Sequence, residues 1–205
     1  MNESAEPQEL VYIVDDDHAV RDSLSLLLNS VGIRNQTFDS ATAFLAAFQP
    51  NRIACLVADI RMPVMSGLEL QNELNARKAA IPIIFITGHG DVPMAVNAMK
   101  DGAMDFLTKP FRDQDLLDRV RAALSGARAE FDSTQQLQEV RERFESLTPR
   151  EREVMELVVQ GLANKVIAMD LGVSQRTVEL HRARVMQKMS VRSLAELVRL
   201  AEMLK

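Results

Sequence analysis

Cys55-Leu56-Val57-Ala58-Asp59-Ile60-Arg61-Met62-Pro63 is an apolar run of strand length that closes on a lone carboxylate, with a proline four residues beyond it. The run reads as a buried strand, and a charge at the mouth of a buried strand is unfavourable unless a site uses it. Three other segments share the form. Leu10-Val11-Tyr12-Ile13-Val14 ends on the triplet Asp15-Asp16-Asp17, residues 81–86 end on Thr87, and a further run ends on Lys109 before Pro110. Helical stripes lie between them. Val20, Leu24, Leu27, Leu28 and Val31 follow the spacing of a helix packed on one face, and Phe44, Leu45 and Phe48 mark a second helix after a strand near residues 33–38. Ser66 and Glu69 form a capping box for a third, Asp91 and Pro93 suit the start of a fourth, and Asp113 caps a fifth that turns Leu116, Leu117, Val120 and Leu124 inward. Five strands alternating with five helices predict a doubly wound α/β domain on a five-stranded parallel sheet.

In such a sheet the carboxyl ends of the strands share one edge, where ligands bind at the topological switch point. The acidic triplet, Asp59, Thr87 and Lys109 are therefore expected to converge. Crowded carboxylates repel one another and shift toward protonation unless a cation offsets them. An all-oxygen donor set beside a phosphate-bearing partner suits Mg²⁺. A carboxylate in such a pocket can act as a nucleophile toward a phosphoryl group, with a hydroxyl and an ammonium holding the phosphoryl oxygens.

The acidic pair after a strand, D-I-R-M-P-V-M-S-G-L-E-L, I-T-G-H-G-D and D-F-L-T-K-P-F together resemble the flavodoxin-like receiver domain of two-component response regulators, over about residues 10–124. The resemblance implies that Asp59 is phosphorylated by a partner sensor histidine kinase. It also implies that Asp15, Asp16 and Asp59 with the Arg61 carbonyl arrange Mg²⁺, that Thr87 and Lys109 bind the phosphoryl group, and that Phe106 is a rotating aromatic switch. Taken singly, Asp17 reads as the N-cap of the next helix, Thr87 as a strand-end hydroxyl, Lys109 as a solvated charge and Phe106 as core packing. Val64 departs from the family's frequent glycine. Arg61 and His89 occupy positions that tune phosphoryl lifetime in the family.

A single cysteine, Cys55, excludes an intrachain disulfide and reads as inert core. The N-terminus is polar and acidic rather than basic-then-apolar, and no apolar stretch is long enough for a bilayer, so a cytoplasmic location with no membrane partner is expected. Charge is uneven along the chain. Lys plus Arg against Asp plus Glu is 11 to 17 over residues 1–124, 3 to 5 over 125–145, and 10 to 7 over 146–205. Only the last segment is basic, which points it toward a polyanion.

The sequence divides into a domain at 9–124, a charged linker at 125–145 and a third segment at 146–205. The linker is rich in Glu, Gln, Arg and Ala and is expected to be helical, with Leu137, Val140 and Phe144 on one side. The last segment reads as four short helices. Thr148, Pro149 and Glu151 give cap, first-turn proline and capping-box acid for one that closes at Gly161; a short helix spans about 164–171 and ends at Gly172; Ser174 caps the next, which runs to about Met189. Two helices joined by a tight glycine turn make a helix-turn-helix, whose second helix enters the major groove. L-T-P-R-E-R-E-V, G-L-A-N-K-V-I-A and V-S-Q-R-T-V-E-L-H-R-A-R resemble the LuxR/FixJ-type output domain. Val166 and Arg184 stand where that pattern often has Glu and Asn.

At about 100° per residue, Val178, Val185 and Met189 share the inward face of the second helix, flanked by His181 and Arg182. The opposite face carries Arg176, Glu179, Leu180, Ala183, Arg184 and Gln187, the candidates for base edges and nearby phosphates. Lys165, Thr177 and Lys188 are candidates for the DNA backbone, and Asn164 is a further candidate for DNA contact. Arg182 is expected to pair with Glu151 or Glu153, and His181 to be a packed, hydrogen-bonded side chain. The stripe Leu194, Leu197, Val198, Ala201 and Leu204 either closes this domain's core or adds a dimer contact.

The resemblance implies a transcription regulator rather than an enzyme. Phosphorylation at Asp59 would remodel the face of the fourth helix, fifth strand and fifth helix and drive a homodimer onto a two-fold-related site in double-stranded promoter DNA, with RNA polymerase as a further partner. Two alternatives exist: a phosphorylation-independent DNA-binding regulator, and a haloacid-dehalogenase-type Mg²⁺ phosphatase using Asp15 as nucleophile and leaving Asp59 without a role.

Overall fold

The computed structural model describes residues 8–50, 52–88 and 92–204, so His89 and Asp91 lie outside the described residues. The chain divides into two compact units, residues 1–131 and 132–205.

In the first unit β1 (Leu10–Val14), β2 (Asn35–Phe38), β3 (Ala54–Asp59), β4 (Ile83–Thr87) and β5 (Asp105–Thr108) form one sheet in the order β2-β1-β3-β4-β5. Every pairing is parallel. The helices between them are α1 (His18–Ser30), α2 (Ala41–Ala47), α3 (Gly67–Ala76) and α4 (Val92–Lys100), and α5 (Asp113–Glu145) follows β5. The order reverses between β1 and β3, the expected switch point.

Side chains alternate across the sheet, as the period of a strand requires. Tyr12, Val14, Leu56, Ala58 and Phe85 pack into one layer with Phe44 and Leu70. Val11, Ile13, Cys55, Val57, Ile84 and Ile86 pack into the other with Leu28, Leu116 and Val120. Tyr12, Phe38, Phe44 and Phe48 add edge-on and tilted ring contacts that weld α2 to the sheet. Cys55 is fully buried, and burial pushes its thiol up to about 12, an inert state.

The caps read from sequence at Asp17, Ser66, Thr148 and Ser174 are made by those side chains, whereas Asp113 is the first residue of α5 rather than its cap. Asp17 accepts from Ala19 N at the start of α1, and Ser66 with Glu69 completes the capping box of α3. The fifth helix and the linker form a single helix of 33 residues, so the boundary between the two units falls inside a regular element. Residues 125–145 contain one glycine and no proline, so no residue there breaks the hydrogen-bond ladder.

The second unit contains α6 (Pro149–Val159), α7 (Asn164–Asp170), α8 (Gln175–Lys188) and α9 (Leu194–Met203). Thr148 and Glu151 form the capping box of α6 around Pro149. Between α7 and α8 the chain turns at Gly172, φ 66°, a left-handed conformation that glycine adopts without strain. Val140, Val154, Met155, Val158, Ile167, Val178, Val185, Met189 and Leu197 are the buried centre of this unit. Ala201 and Leu204 pack on it, so most of the α9 stripe closes the core, while Leu194 is 38% exposed.

Candidate functional site

The carboxyl edge of the sheet gathers Asp15, Asp59, Thr87 and Lys109 because each follows or ends a strand whose register is set by its neighbours. Val14 pairs with Ala58, Asp59 with Ile86, and Thr87 with Thr108. The loop after β5 is tied back by Lys109 N donating to Thr87 O at 2.8 Å.

Lys109 is the centre of the arrangement. Its Nζ lies 2.9 Å from Asp59 Oδ1 and 3.2 Å from Asp15 Oδ2. Asp59 Oδ2 accepts from Arg61 N at 2.7 Å, and Asp15 Oδ1 accepts from Asp17 N at 2.8 Å. Burial raises the Asp15 carboxyl above its ordinary range, opposed by the Asp17 amide and by Lys109. Burial also disfavours the Lys109 ammonium, but its bond to Asp59 and the charges of Asp59 and Asp15 together hold its pKa above the usual lysine value. The pocket is thus built for one positive charge shared between two carboxylates. The side chain of Asp59 is 12% exposed against 3% for Asp15, which makes Asp59 the more accessible of the two carboxylates.

Asp16 is exposed beside this pair. Arg61 is exposed too, with its backbone running through the Asp59 loop. Thr87 is fully buried and its hydroxyl donates to Gly88 O at 3.2 Å. Phe106 is half-buried and packs against the Tyr12–Phe85 layer. Among the described residues no group of three or more His, Cys, Asp or Glu side chains could hold a metal ion by itself. Mg²⁺ needs fewer, since it keeps several waters and uses one or two carboxylates with phosphate oxygens. Asp15 and Asp59, already drawn to a common cation, fit that donor set.

Sequence reasoning did not single out Gly67. A Cβ there would lie 2.4 Å from the Asp59 carbonyl oxygen and 2.8 Å from Phe85 Cε1, so only glycine lets the start of α3 approach β3. Its N–H donates to Ile60 O at 2.9 Å, fastening the Asp59 loop. The available signal was a glycine directly after a cap residue, where helix propensity disfavours it. Val64 in the same loop has φ 68° and is 96% exposed. The family's glycine thus falls where the backbone is left-handed, and valine there is strained.

In the second unit Arg176, Glu179, Leu180, Ala183, Arg184 and Gln187 are exposed on α8, opposite the buried Val178, Val185 and Met189. Lys165 is exposed on α7. Thr177 is half-buried, its hydroxyl 2.8 Å from that of Ser174 in the cap of α8. Three expectations need correction. Arg182 pairs with neither Glu151 nor Glu153, which are bound to Lys188 and Arg150; its Nη1 donates instead to Asn164 Oδ1 at 3.1 Å, engaging that side chain within the fold. Lys188 is turned inward, its Nζ 2.7 Å from Glu151 Oε2, rather than outward toward a phosphate. His181 is half-buried as expected, but its Nδ1 is buried without a hydrogen-bond partner among the described residues. No helix among the described residues is long and apolar enough to cross a membrane.

Comparison with known proteins agrees with both units. Residues 11–121 match the response regulator receiver domain, and residues 145–201 match the luxR family of bacterial regulatory proteins. The chain is 53% identical to the transcriptional regulatory protein FixJ of Azorhizobium caulinodans, covering 95% of this chain and 93% of that one. It is 48% identical to the response regulator protein TmoT of Ectopseudomonas mendocina, covering 97% of this chain and 90% of that one. Among solved structures, the response regulator StyR superposes with a TM-score of 0.90 at 48% identity, covering 95% of this chain and 98% of that one.

Proposed function

Since the chain belongs to the response regulators that join a receiver domain to a LuxR-type DNA-binding domain, we propose that Asp59 is its phosphoacceptor and that phosphorylation there controls how residues 146–205 engage promoter DNA. The observation that carries this reading is the bridge from Lys109 to Asp59 and Asp15. An Asp59 carboxylate oxygen attacks the phosphorus of a phosphohistidine on a sensor kinase; the P–O bond forms as the P–N bond breaks, and the histidine nitrogen keeps the electron pair. Mg²⁺, held by Asp15, Asp16, Asp59 and the Arg61 carbonyl, would neutralise charge on the phosphoryl oxygens.

Lys109 stays in place and stabilises the added charge, about −1.5 to −2. The Thr87 hydroxyl exchanges the Gly88 carbonyl for a phosphoryl oxygen, and Phe106 follows it inward. The change propagates to α4, β5 and the start of α5. Val96, Met99 and Met104 are 45%, 38% and 39% exposed in the α4–β5 segment, apolar surface that suits a phosphorylation-dependent homodimer. The dimer would present two copies of α8 to a two-fold-related site in double-stranded DNA, in the cytoplasm, with RNA polymerase as the onward partner. The protein then acts as a regulator, not an enzyme, and the switch shifts its equilibrium only by the differential interaction of the phosphoryl group with the two states.

The test is treatment with acetyl phosphate and Mg²⁺, read by intact mass, and with beryllofluoride, read by sedimentation. One phosphoryl adduct and a shift toward dimer are expected in the native chain and neither in Asp59→Asn. An unmodified native chain that still binds DNA would support the phosphorylation-independent alternative.

A further inference from the structure

Glu151 and Lys188 form a charge pair that the DNA-facing surface of α8 does not use. Glu151 is 2% exposed, and its Oε2 accepts from Thr148 N at 2.9 Å and from Lys188 Nζ at 2.7 Å. Lys188 Nζ also donates to Ser146 O at 3.0 Å. One ammonium therefore joins the last turn of α8, the first turn of α6 and the backbone just beyond α5. The bond from Lys188, followed by the Thr148 amide, lowers the Glu151 carboxyl to about 2, so the pair is charged throughout the neutral range. A second anchor lies six residues earlier on α8, where Arg182 holds Asn164 at the start of α7. Ala183, Arg184 and Gln187 lie between the two anchors along the helix.

Among the described residues the other attachments of α8 to the core are apolar, through Val178, Val185 and Met189. Apolar burial is non-directional, so it decides which face of the helix turns inward but leaves the fine angle of that face to directional contacts. An ion pair with geometric demands does fix it. The carboxylate of this pair is buried while its ammonium keeps 35% exposure, and such pairs add little net stability over a well-packed apolar alternative, their best-attested use being to set register. Base-edge readout needs such register, because donors and acceptors must meet at hydrogen-bond distance, whereas a phosphate contact places a charge without reading sequence.

We propose that Glu151 and Lys188 are positioning residues for the DNA-reading helix: the pair sets the orientation of α8, and with it sequence discrimination, while Lys188 makes no phosphate contact. The inference rests on the DNA-binding reading above. It turns a residue that pattern alone assigns to the polyanion into an internal strut, and gives Glu151, an acid in a basic domain, a role in recognition.

The test uses the full-length chain, a duplex that the native protein selects from a random-sequence library, and a scrambled duplex of equal length. Glu151→Gln retains a capping-box side chain while losing the charge. Lys188→Met removes the ammonium and keeps an unbranched stem. Each is expected to weaken the selected duplex roughly tenfold while leaving scrambled-duplex affinity and its salt slope unchanged, and the double variant to lose no more than either single one. A Lys188→Met chain that loses both duplexes equally, with the slope of log K against log salt reduced by about 0.9, would make Lys188 a phosphate ligand and overturn the proposal. An unchanged ratio between the duplexes in both variants, or additive losses in the double variant, would overturn it as well. A native chain that selects no duplex would instead overturn the DNA-binding reading and this inference with it.

Discussion

The carbonyl oxygen of Asp59 stands 2.4 Å from the place a β-carbon on Gly67 would occupy, so the end of β3 and the start of α3 touch backbone to backbone. The neighbour is main chain and cannot swing aside, so any side chain at 67 displaces the loop that presents Asp59. Gly67→Ala is expected to destabilise the receiver by about 1–3 kcal/mol, as overpacking does, despite alanine's better helix propensity. Urea unfolding measures the loss, and slower adduct formation with acetyl phosphate reports the displaced carboxylate. Native stability with a native labelling rate would contradict the contact.

Val64 holds a left-handed backbone, φ 68°, with its side chain in solvent. Val64→Gly removes the clash between Cβ and the following carbonyl and deletes no buried contact. The receiver should gain about 1–2 kcal/mol, partly offset by the greater freedom of glycine when unfolded. A rise in urea midpoint at constant m-value is the expected signature, and a fall would refute strain at this position.

Lys109 offsets half the charge of two carboxylates that Mg²⁺ would share. In Lys109→Met the acidic pocket loses its resident cation, so Mg²⁺ should bind up to about tenfold more tightly, since the competing positive charge is gone. The phosphorylated state loses the ammonium that stabilises its added charge, so dimerisation driven by beryllofluoride should fail. Calorimetric titration with Mg²⁺ and sedimentation after beryllofluoride separate the two effects; weaker Mg²⁺ binding would contradict the shared-cation account.

The Glu151 carboxyl falls from an ordinary 4.5 to about 2 in the folded protein, first through Lys188 and then through the Thr148 amide. A depressed carboxyl contributes stability that is complete above the unfolded pKa and is lost as pH falls through the folded one. The output domain should therefore lose stability between about pH 4.5 and pH 2, and Glu151→Gln should flatten that part of the profile. Thermal melts across this range check it; parallel native and variant profiles would remove Glu151 from acid unfolding.

Much of the fold was legible because its elements carry local signals. Buried strands read as apolar runs, Asp17, Ser66, Thr148 and Ser174 announce helix starts through side chains that accept the first amides, and the i, i+4, i+7 stripe of α1 names its inner face. The acidic triplet, Asp59, Thr87 and Lys109 were legible for the same reason, since each ends a strand and a parallel sheet delivers strand ends to one edge. The helical linker was legible too, but the boundary between the two units inside α5 was not, because nothing in residues 125–145 marks where one packing environment stops and the next starts.

The sequence by itself determined the architecture and chemistry of both domains: the alternation of strands and helices, the carboxylates at one sheet edge, and the polar face of α8. Tertiary structure alone decided which charges are partners. Lys188 meets Glu151 rather than solvent, Arg182 meets Asn164 rather than an acid, and Gly67 meets the backbone of Asp59. Periodicity assigns a residue to a face of its own element, but a long charged side chain near the edge of that face reaches several partners. The choice among them depends on where a helix 37 residues away in sequence has been packed.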